Sequence, residues 1–233
     1  MAAVEATEVR KLAELEDAHW WYRERRYLLA REVRGLRPGT ALDVGAAGGG
    51  NTRVLRDLGW RAAALEYGAE GAGVARERGL ATLRADATRL PVADASLDLV
   101  VAFDVLEHLD DDDAAVREVR RALRPGGSFV VAVPCDPALW SAHDEAVGHV
   151  RRYTRPTLTA LLVRGGFAIG PVRSWNVLLR PVVQLRRRFS TGSDLDELSP
   201  LVNTGLRGVI TAERYLPVRS LPGVSLLVTA RRP

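Results

Sequence analysis

Apolar residues recur at helical spacing over residues 8–35, through Val9, Leu12 and Leu15 and then Tyr27, Leu28 and Val33. The cluster Ala18-His19-Trp20-Trp21-Tyr22 interrupts that stretch, and Gly35 with Pro38-Gly39 closes it. From there the pattern alternates. Short apolar runs at 41–45, 60–66, 80–85, 97–103 and 128–133 predict strands, and segments 51–58, 70–78 and 112–123 predict helices among them. The run Leu97–Phe103 is almost continuously apolar, as in a strand covered on both faces. Parallel neighbours need crossovers of this length, so the alternation predicts a parallel α/β sheet.

After Pro134 the rhythm changes. Residues 135–153 read as a loop, and a helix follows over 155–164, closed by Gly165-Gly166. Strands are predicted at 168–175 and 224–230, with an arginine-rich excursion of amphipathic pieces over 177–215 between them. That order suits a mostly parallel seven-stranded sheet with an antiparallel edge strand and a helical insertion before the last strand. There is no internal repeat and no low-complexity segment.

Composition narrows the class. The 233 residues, 47% of them apolar, suffice for one α/β domain with a full core. The chain opens with acids where a secretion signal carries positive charge, and no apolar run approaches the roughly 20 residues that span a bilayer. The expectation is a soluble, cytoplasmic protein. Cys135 is the sole cysteine, which excludes an internal disulfide and a thiolate metal cage. Charge is asymmetric: residues 1–150 carry 19 basic against 25 acidic side chains, and residues 151–233 carry 14 against 4. Lys11 is the only lysine, so the basic charge is nearly all guanidinium, a planar fork suited to phosphate or carboxylate. A nucleic acid, an anionic membrane, a phosphorylated substrate and an ordinary solvated surface all remain open for the basic third.

The strongest local signal is Leu42-Asp43-Val44-Gly45-Ala46-Ala47-Gly48-Gly49-Gly50-Asn51-Thr52, a strand running into a glycine-rich turn and a helix start. Such a turn lets backbone approach a ligand and aims free N–H groups at it. Glu66, at the end of the second strand, can accept the ribose hydroxyls of an adenosine. Alone, this pair is ambiguous between a dinucleotide and S-adenosylmethionine (SAM). Three further pieces are Arg84-Ala85-Asp86-Ala87, whose acid could meet an adenine amino group, Leu97 to Leu109 with Phe103-Asp104-Val105-Leu106-Glu107-His108, and Leu123-Arg124-Pro125-Gly126-Gly127.

In this order and spacing the set resembles the class I SAM-dependent methyltransferase superfamily, in particular the group related to ubiquinone-biosynthesis methyltransferases. The resemblance covers about residues 38–135. It implies a Rossmann-like, doubly wound α/β fold and SAM as cofactor. By it, Asp43, Gly45, Gly49 and Gly50 line the methionine and ribose side, Glu66 holds the ribose, Asp86 and Ala87 flank the adenine, and Phe103 and His108 stand at the far wall. The family's usual second glycine is Ala47 here. One domain over 1–233 is expected, with a helical lid (1–37), a SAM-binding core (38–135) and a substrate-side loop, edge strands and basic helical insertion (136–233).

A second constellation, Trp140-Ser141-Ala142-His143-Asp144-Glu145-Ala146-Val147-Gly148-His149-Val150-Arg151-Arg152-Tyr153, follows the fifth strand at the carboxyl edge, where open α/β sheets place their sites. His149 and His143 are the candidate general bases, because imidazole titrates near neutrality. Asp144 could orient one of them, while Arg152 and Tyr153 could hold the substrate; equally, these polar residues could cap and pin the loop, with His149 and Tyr153 bonded to backbone. His143, Asp144 and His149 lack regular ligand spacing, so no metal is predicted. More weakly, the His-Trp-Trp-Tyr-x-Arg segment, this loop and the late Leu-Pro-Gly-x-Ser-Leu strand look like a bacterial branch of methyltransferases. Trp20 and Trp21 cannot share a helix face, so one is expected to pack on the domain while the other closes the pocket. Leu178, Leu179, Val182, Val183 and Leu185 with Arg186-Arg187-Arg188 suit a pocket cover or homodimer surface, or a peripheral membrane contact.

The expected activity is methyl transfer to an oxygen or nitrogen of a small molecule: a natural product, saccharide or lipid-linked intermediate. An NAD-dependent oxidoreductase, a non-catalytic SAM-binding module and a nucleic-acid methyltransferase are the alternatives. Against the last, Asp104-Val105-Leu106-Glu107 stands where a base-methylating Asn/Asp-Pro-Pro-Tyr motif would.

Overall fold

The computed structural model describes Arg10, residues 13–187 and residues 198–233. Its elements are α1 (Trp20–Val33), β1 (Thr40–Val44), α2 (Gly50–Asp57), β2 (Arg61–Glu66), α3 (Ala69–Glu77), β3 (Ala81–Arg84), β4 (Leu97–Phe103), α4 (Asp112–Ala122), β5 (Leu123–Pro134), α5 (Ala142–Ala146), α6 (Arg155–Arg164), β6 (Ala168–Ile169), β7 (Arg173–Trp175), α7 (Arg180–Arg187), α8 (Pro200–Glu213) and β8 (Ser225–Arg231). The sheet runs β3-β2-β1-β4-β5-β8-β6, with β7 also on β8. Strands β1 to β5 are parallel, and β8 is antiparallel to β5, β6 and β7.

The strand period of two sorts β1, β4, β5 and β8 onto two faces. Leu42, Val44, Val100, Ala102, Val131 and Val228 face one core with Val116, Val119, Leu158, Leu161 and Leu162 of α4 and α6. Ala41, Leu99, Val101, Phe103, Val130 and Leu227 face a second core with Leu28, Leu29, Leu55 and Ile210 of α1, α2 and α8. This two-sided burial is why β4 has no polar alternation apart from Asp98.

Three boundaries differ from the sequence reading. The break in the first helical stretch falls at residues 16–19, so Trp20-Trp21-Tyr22 is the first turn of α1 rather than an interruption. That turn is capped from outside, with the Trp20 N–H donating to Asn203 Oδ1 of α8 at 2.9 Å. The single strand expected at 168–175 is β6 and β7, parted at Gly170-Pro171-Val172. Pro171 has no N–H to give the ladder, and a Cβ on Gly170 would lie 2.7 Å from the Thr229 carbonyl oxygen. Counted as one interrupted strand they restore the seven expected, and they form the edge while β8 lies inside it. The supposed loop 135–153 contains α5, started by a capping box in which the Ser141 N–H donates to Asp144 Oδ2 at 3.0 Å. Arg188 and the rest of 188–197 lie outside the described residues. Among the described residues, no helix is long and apolar enough to cross a membrane.

Candidate active site

Strand order reverses between β1 and β4, and the crevice beyond their carboxyl ends is where open α/β sheets bind ligands. The turn after β1 has Gly45, Ala47 and Gly49 at φ of 66°, 45° and 82°. A Cβ on Gly45 would stand 2.5 Å from Val105 Cγ2, so the chain after β4 can close against this turn only at glycine. A Cβ on Gly49 would meet Leu80 Cδ1 at 2.1 Å, and one on Gly50 would meet Glu16 Oε2 at 2.5 Å. Gly49 and Gly50 are therefore packing glycines beneath the turn, while Gly45 and Ala47 are exposed on it.

Glu66 is fixed at the tip of β2. Its Oε2 accepts the Ala47 N–H at 2.7 Å, and its Oε1 accepts those of Tyr67 and Gly68 at 2.9 and 3.2 Å. A carboxylate oxygen offers two lone pairs, so Oε2 keeps capacity for a hydroxyl. Asp86 is exposed and locally tied, accepting from the Thr88 N–H and hydroxyl at 2.8 Å each, with half-buried Ala87 beside it. Asp43 lies under the turn, where its Oδ2 accepts the Thr52 hydroxyl at 2.7 Å. Burial pushes its carboxyl up to about 7, against the lowering effect of that bond and of Arg25. Phe103 is also buried, in the second core.

Beside the turn after β4, the carboxyl edge is covered by the chain after β5. The Val150 N–H donates to the Glu107 carbonyl at 2.8 Å, the Tyr153 N–H to Pro134 at 3.0 Å and the Asp136 N–H to Tyr153 at 2.8 Å. This lays His149 over Glu107-His108. The rings of His108 and His149 are 4.8 Å apart, and those of His149 and His143 are 6.2 Å apart. His149 Nδ1 lies 2.7 Å from Asp144 Oδ1. Arg152 Nε donates to the same oxygen at 2.7 Å, and Arg187 approaches Oδ2 at 3.7 Å. Asp144 is fully buried, and these bonds outweigh its desolvation and hold its carboxyl well below the usual range. An ionised carboxylate only accepts, so His149 carries its proton on Nδ1 and leaves Nε2 free to accept. Burial and the neighbouring His149 lower His108, whose Nδ1 lies 3.2 Å from the Gly148 carbonyl oxygen.

Arg152 and Tyr153, expected to hold substrate, are placed inside the protein. Arg152 Nη1 donates to the Cys135 carbonyl at 3.0 Å, and the Tyr153 hydroxyl donates to Asp112 Oδ2 at 2.6 Å and approaches the Leu106 carbonyl at 3.2 Å. Desolvation and Asp112 raise the Tyr153 phenol far above its ordinary value. Both side chains position the loop. Of the two tryptophans, Trp20 packs in the second core, as expected of one of them, and Trp21, expected to close the pocket, packs its ring 4.4 Å from that of Trp175.

Sequence reasoning missed Glu107, Asp104 and Arg25. Glu107 is fully buried, and neither carboxylate oxygen has a hydrogen-bond partner. Burial and the adjacent Asp104 charge push its carboxyl well above the usual range. Its signal was an acid enclosed by Leu106 and His108 just after a wholly buried strand. Asp104 takes a φ of 55°, and Arg25 bridges it at 3.1 Å while donating to the Phe103 carbonyl at 2.9 Å. A groove of about 530 Å³ lies elsewhere, over α2 between Arg26, Arg53, Arg56, Arg78 and Asp17, away from the histidines.

The basic C-terminal third is partly neutralised within the fold. Arg180 pairs with Asp136, Arg173 with Glu32 and Arg214 with Glu24, and Arg187 donates to the Leu139 carbonyl. Val182 and Leu185 of α7 are exposed.

Comparison with known proteins agrees with the crevice. A family described as the methyltransferase domain matches residues 42–131. A Mycolicibacterium smegmatis protein described as a "probable S-adenosylmethionine-dependent methyltransferase" is 30% identical over 174 residues, covering 72% of this chain and 67% of its own. The malonyl-[acyl-carrier protein] O-methyltransferase of Enterobacter lignolyticus is 35% identical over 138 residues, 55% of each chain. Among solved structures, a methyltransferase bound to the Haloferax volcanii Trm112 activator superposes with a TM-score of 0.67 at 22% identity, covering 97% of this chain and 95% of that one.

Proposed function

Because the chain belongs to the SAM-dependent methyltransferases, we propose that it methylates an oxygen or nitrogen of a small molecule, with proton removal centred on His149. SAM supplies an electrophilic methyl on a sulfonium, so the protein's tasks are alignment and, where needed, proton removal. The residues present fit that cofactor. Glu66 is held by three backbone N–H groups and retains acceptor capacity for a ribose hydroxyl, beside an exposed turn that approaches a ligand without side-chain bulk. Gly45, Ala47, Glu66, Asp86 and Ala87 would hold it.

The observation that carries the reading is the Asp144–His149 contact at 2.7 Å. Asp144 accepts at Nδ1 and thereby leaves Nε2 as the acceptor at the carboxyl edge of the sheet. Arg152 serves by holding Asp144. His143, the outer ring of the histidine row, is the second candidate. Internal pairing of the C-terminal arginines supports a small acceptor over a nucleic acid, whose phosphates need free guanidinium groups.

Calorimetry with S-adenosylhomocysteine tests the cofactor half. The wild type binds it, and Glu66→Ala weakens binding about ten- to a hundredfold through loss of a charged hydrogen bond. Labelled-methyl transfer from SAM to a panel of hydroxyl- and amine-bearing small molecules tests the rest. His149→Gln loses turnover on any acceptor found while keeping S-adenosylhomocysteine affinity. Absence of cofactor binding in the wild type, or full turnover in His149→Gln, overturns the proposal.

A further inference from the structure

Glu107, His108 and His149 each present one ligand atom, and the three atoms lie within 4.8 Å of one another. Both histidines have the other ring nitrogen engaged. His149 Nδ1 is on the buried Asp144 carboxylate at 2.7 Å, and His108 Nδ1 is on the Gly148 carbonyl at 3.2 Å. Each partner accepts, so each ring keeps its proton on Nδ1 and offers a bare Nε2 lone pair. A carboxylate or carbonyl behind the distal nitrogen is how metal-binding histidines are oriented. Facing them, Glu107 is fully buried with both oxygens unpartnered. A buried carboxyl with no hydrogen-bond partner is costly whether ionised or protonated, so such a group calls for something the protein alone does not supply. A shared proton does not meet the need, because Glu107 Oε1 and His149 Nε2 are 3.8 Å apart, beyond hydrogen-bond reach.

We propose that Glu107, His108 and His149 form a binding site for a divalent transition-metal ion of the zinc, manganese or cobalt class, between the turn after β4 and the loop after β5. Two imidazoles and one carboxylate match the ligand set of open sites that keep further positions for water or a substrate oxygen. Ligand atoms around a tetrahedral ion of this kind stand about 3.4 Å apart, so these three, now within 4.8 Å of one another, close by up to about 1.4 Å on binding. Asp104 lies near enough to act electrostatically on both Glu107 and His108, adding negative charge for a cation. The inference deepens the proposed function and rests on it for one part only. Where the acceptor enters this edge, the open positions favour an oxygen nucleophile: the ion held by His149 Nε2 acidifies the bound hydroxyl, and His143, the second candidate base, takes its proton. Metal binding itself does not depend on that reading.

The test is equilibrium dialysis of the full chain against Zn²⁺, with metal counted by mass spectrometry, and titration with Co²⁺ followed by visible absorption. One ion per chain is expected, with an absorption band reporting nitrogen and oxygen ligands. Glu107→Gln preserves shape and His149→Ala removes the second nitrogen, and each weakens binding at least tenfold, while His143→Ala retains it. S-adenosylhomocysteine titrations on the same preparations separate the two claims and verify the fold. Binding below stoichiometry in the wild type, or undiminished in both ligand variants, overturns the metal site and leaves the methyltransferase reading standing. Loss of cofactor binding in the wild type alongside retained metal does the reverse.

Discussion

The turn after β1 and the loop after β5 meet at one edge of the sheet, and they are held in shape by different forces. Around the turn, backbone does most of the shaping: positive φ at Gly45, Ala47 and Gly49, and three N–H groups on Glu66. Its outer residues, Gly45 and Ala47, are exposed. In the loop, buried charge does the shaping: Asp144 with His149 and Arg152, Tyr153 with Asp112, and Glu107 beneath. The contrast suits the tasks proposed for them. A cofactor with many polar atoms can be met by open backbone, whereas proton handling needs ionisable groups fixed out of water.

Breaking the loop should cost the most. Asp144→Asn leaves Arg152 buried without its counter-charge, a loss of about 3–5 kcal/mol in denaturant unfolding. Methyl transfer should fall with it, while folded protein still binds S-adenosylhomocysteine. An unchanged unfolding midpoint would place the anchor of the loop elsewhere.

Asp43, buried beneath the turn, sharpens the comparison through pH. An unfolded aspartate ionises near pH 4, and burial holds Asp43 up at about 7. Between those values the unfolded chain releases a proton that the folded chain keeps. The Asp43 contribution to stability is therefore full below about pH 4 and is lost as pH rises through 7. Asp43→Asn removes it, so the variant gains on the wild type between pH 4 and 7.5 by on the order of 4 kcal/mol, at about 1.4 kcal/mol per pH unit. Parallel melting temperatures of the two proteins across that range would refute a raised Asp43.

Tyr153→Phe deletes a buried donor and leaves Asp112 one bond short, for about 1–3 kcal/mol. Stability falls and the KM for substrate stays, if Tyr153 positions the loop rather than the acceptor. A raised KM with unchanged stability would return it to the substrate. The smallest effect belongs to Ala47→Gly. Relief of left-handed strain, about 1 kcal/mol, nearly cancels the entropy glycine adds to the unfolded chain. Melting should shift by no more than a degree or two, and a large change would mean that the Ala47 methyl has a contact of its own.

Strands and helices were legible because their signals are local. The run Leu97–Phe103 and the helix at 155–164 appear with the bounds their apolar spacing gives. The glycine-rich turn declared itself by composition, and Glu66 by its distance from Gly45. The short helix α5 was legible too, in Ser141-x-x-Asp144, but was hidden by the polar residues around it. Arg152 and Tyr153 were read as candidate substrate holders because their side chains offer polar groups at the carboxyl edge, where ligands bind. Nothing near them in sequence says that Tyr153 will meet Asp112, 41 residues away.

By itself, then, the chain determined its layers, its strand alternation and the glycine-rich turn after the first strand, since hydrophobic period and backbone permissiveness act between near neighbours. The tertiary structure alone decided which acids lose water, which arginines are consumed as internal partners, and that Glu107 faces two oriented histidines. Desolvation depends on everything that packs around a group, and distant segments supply most of that.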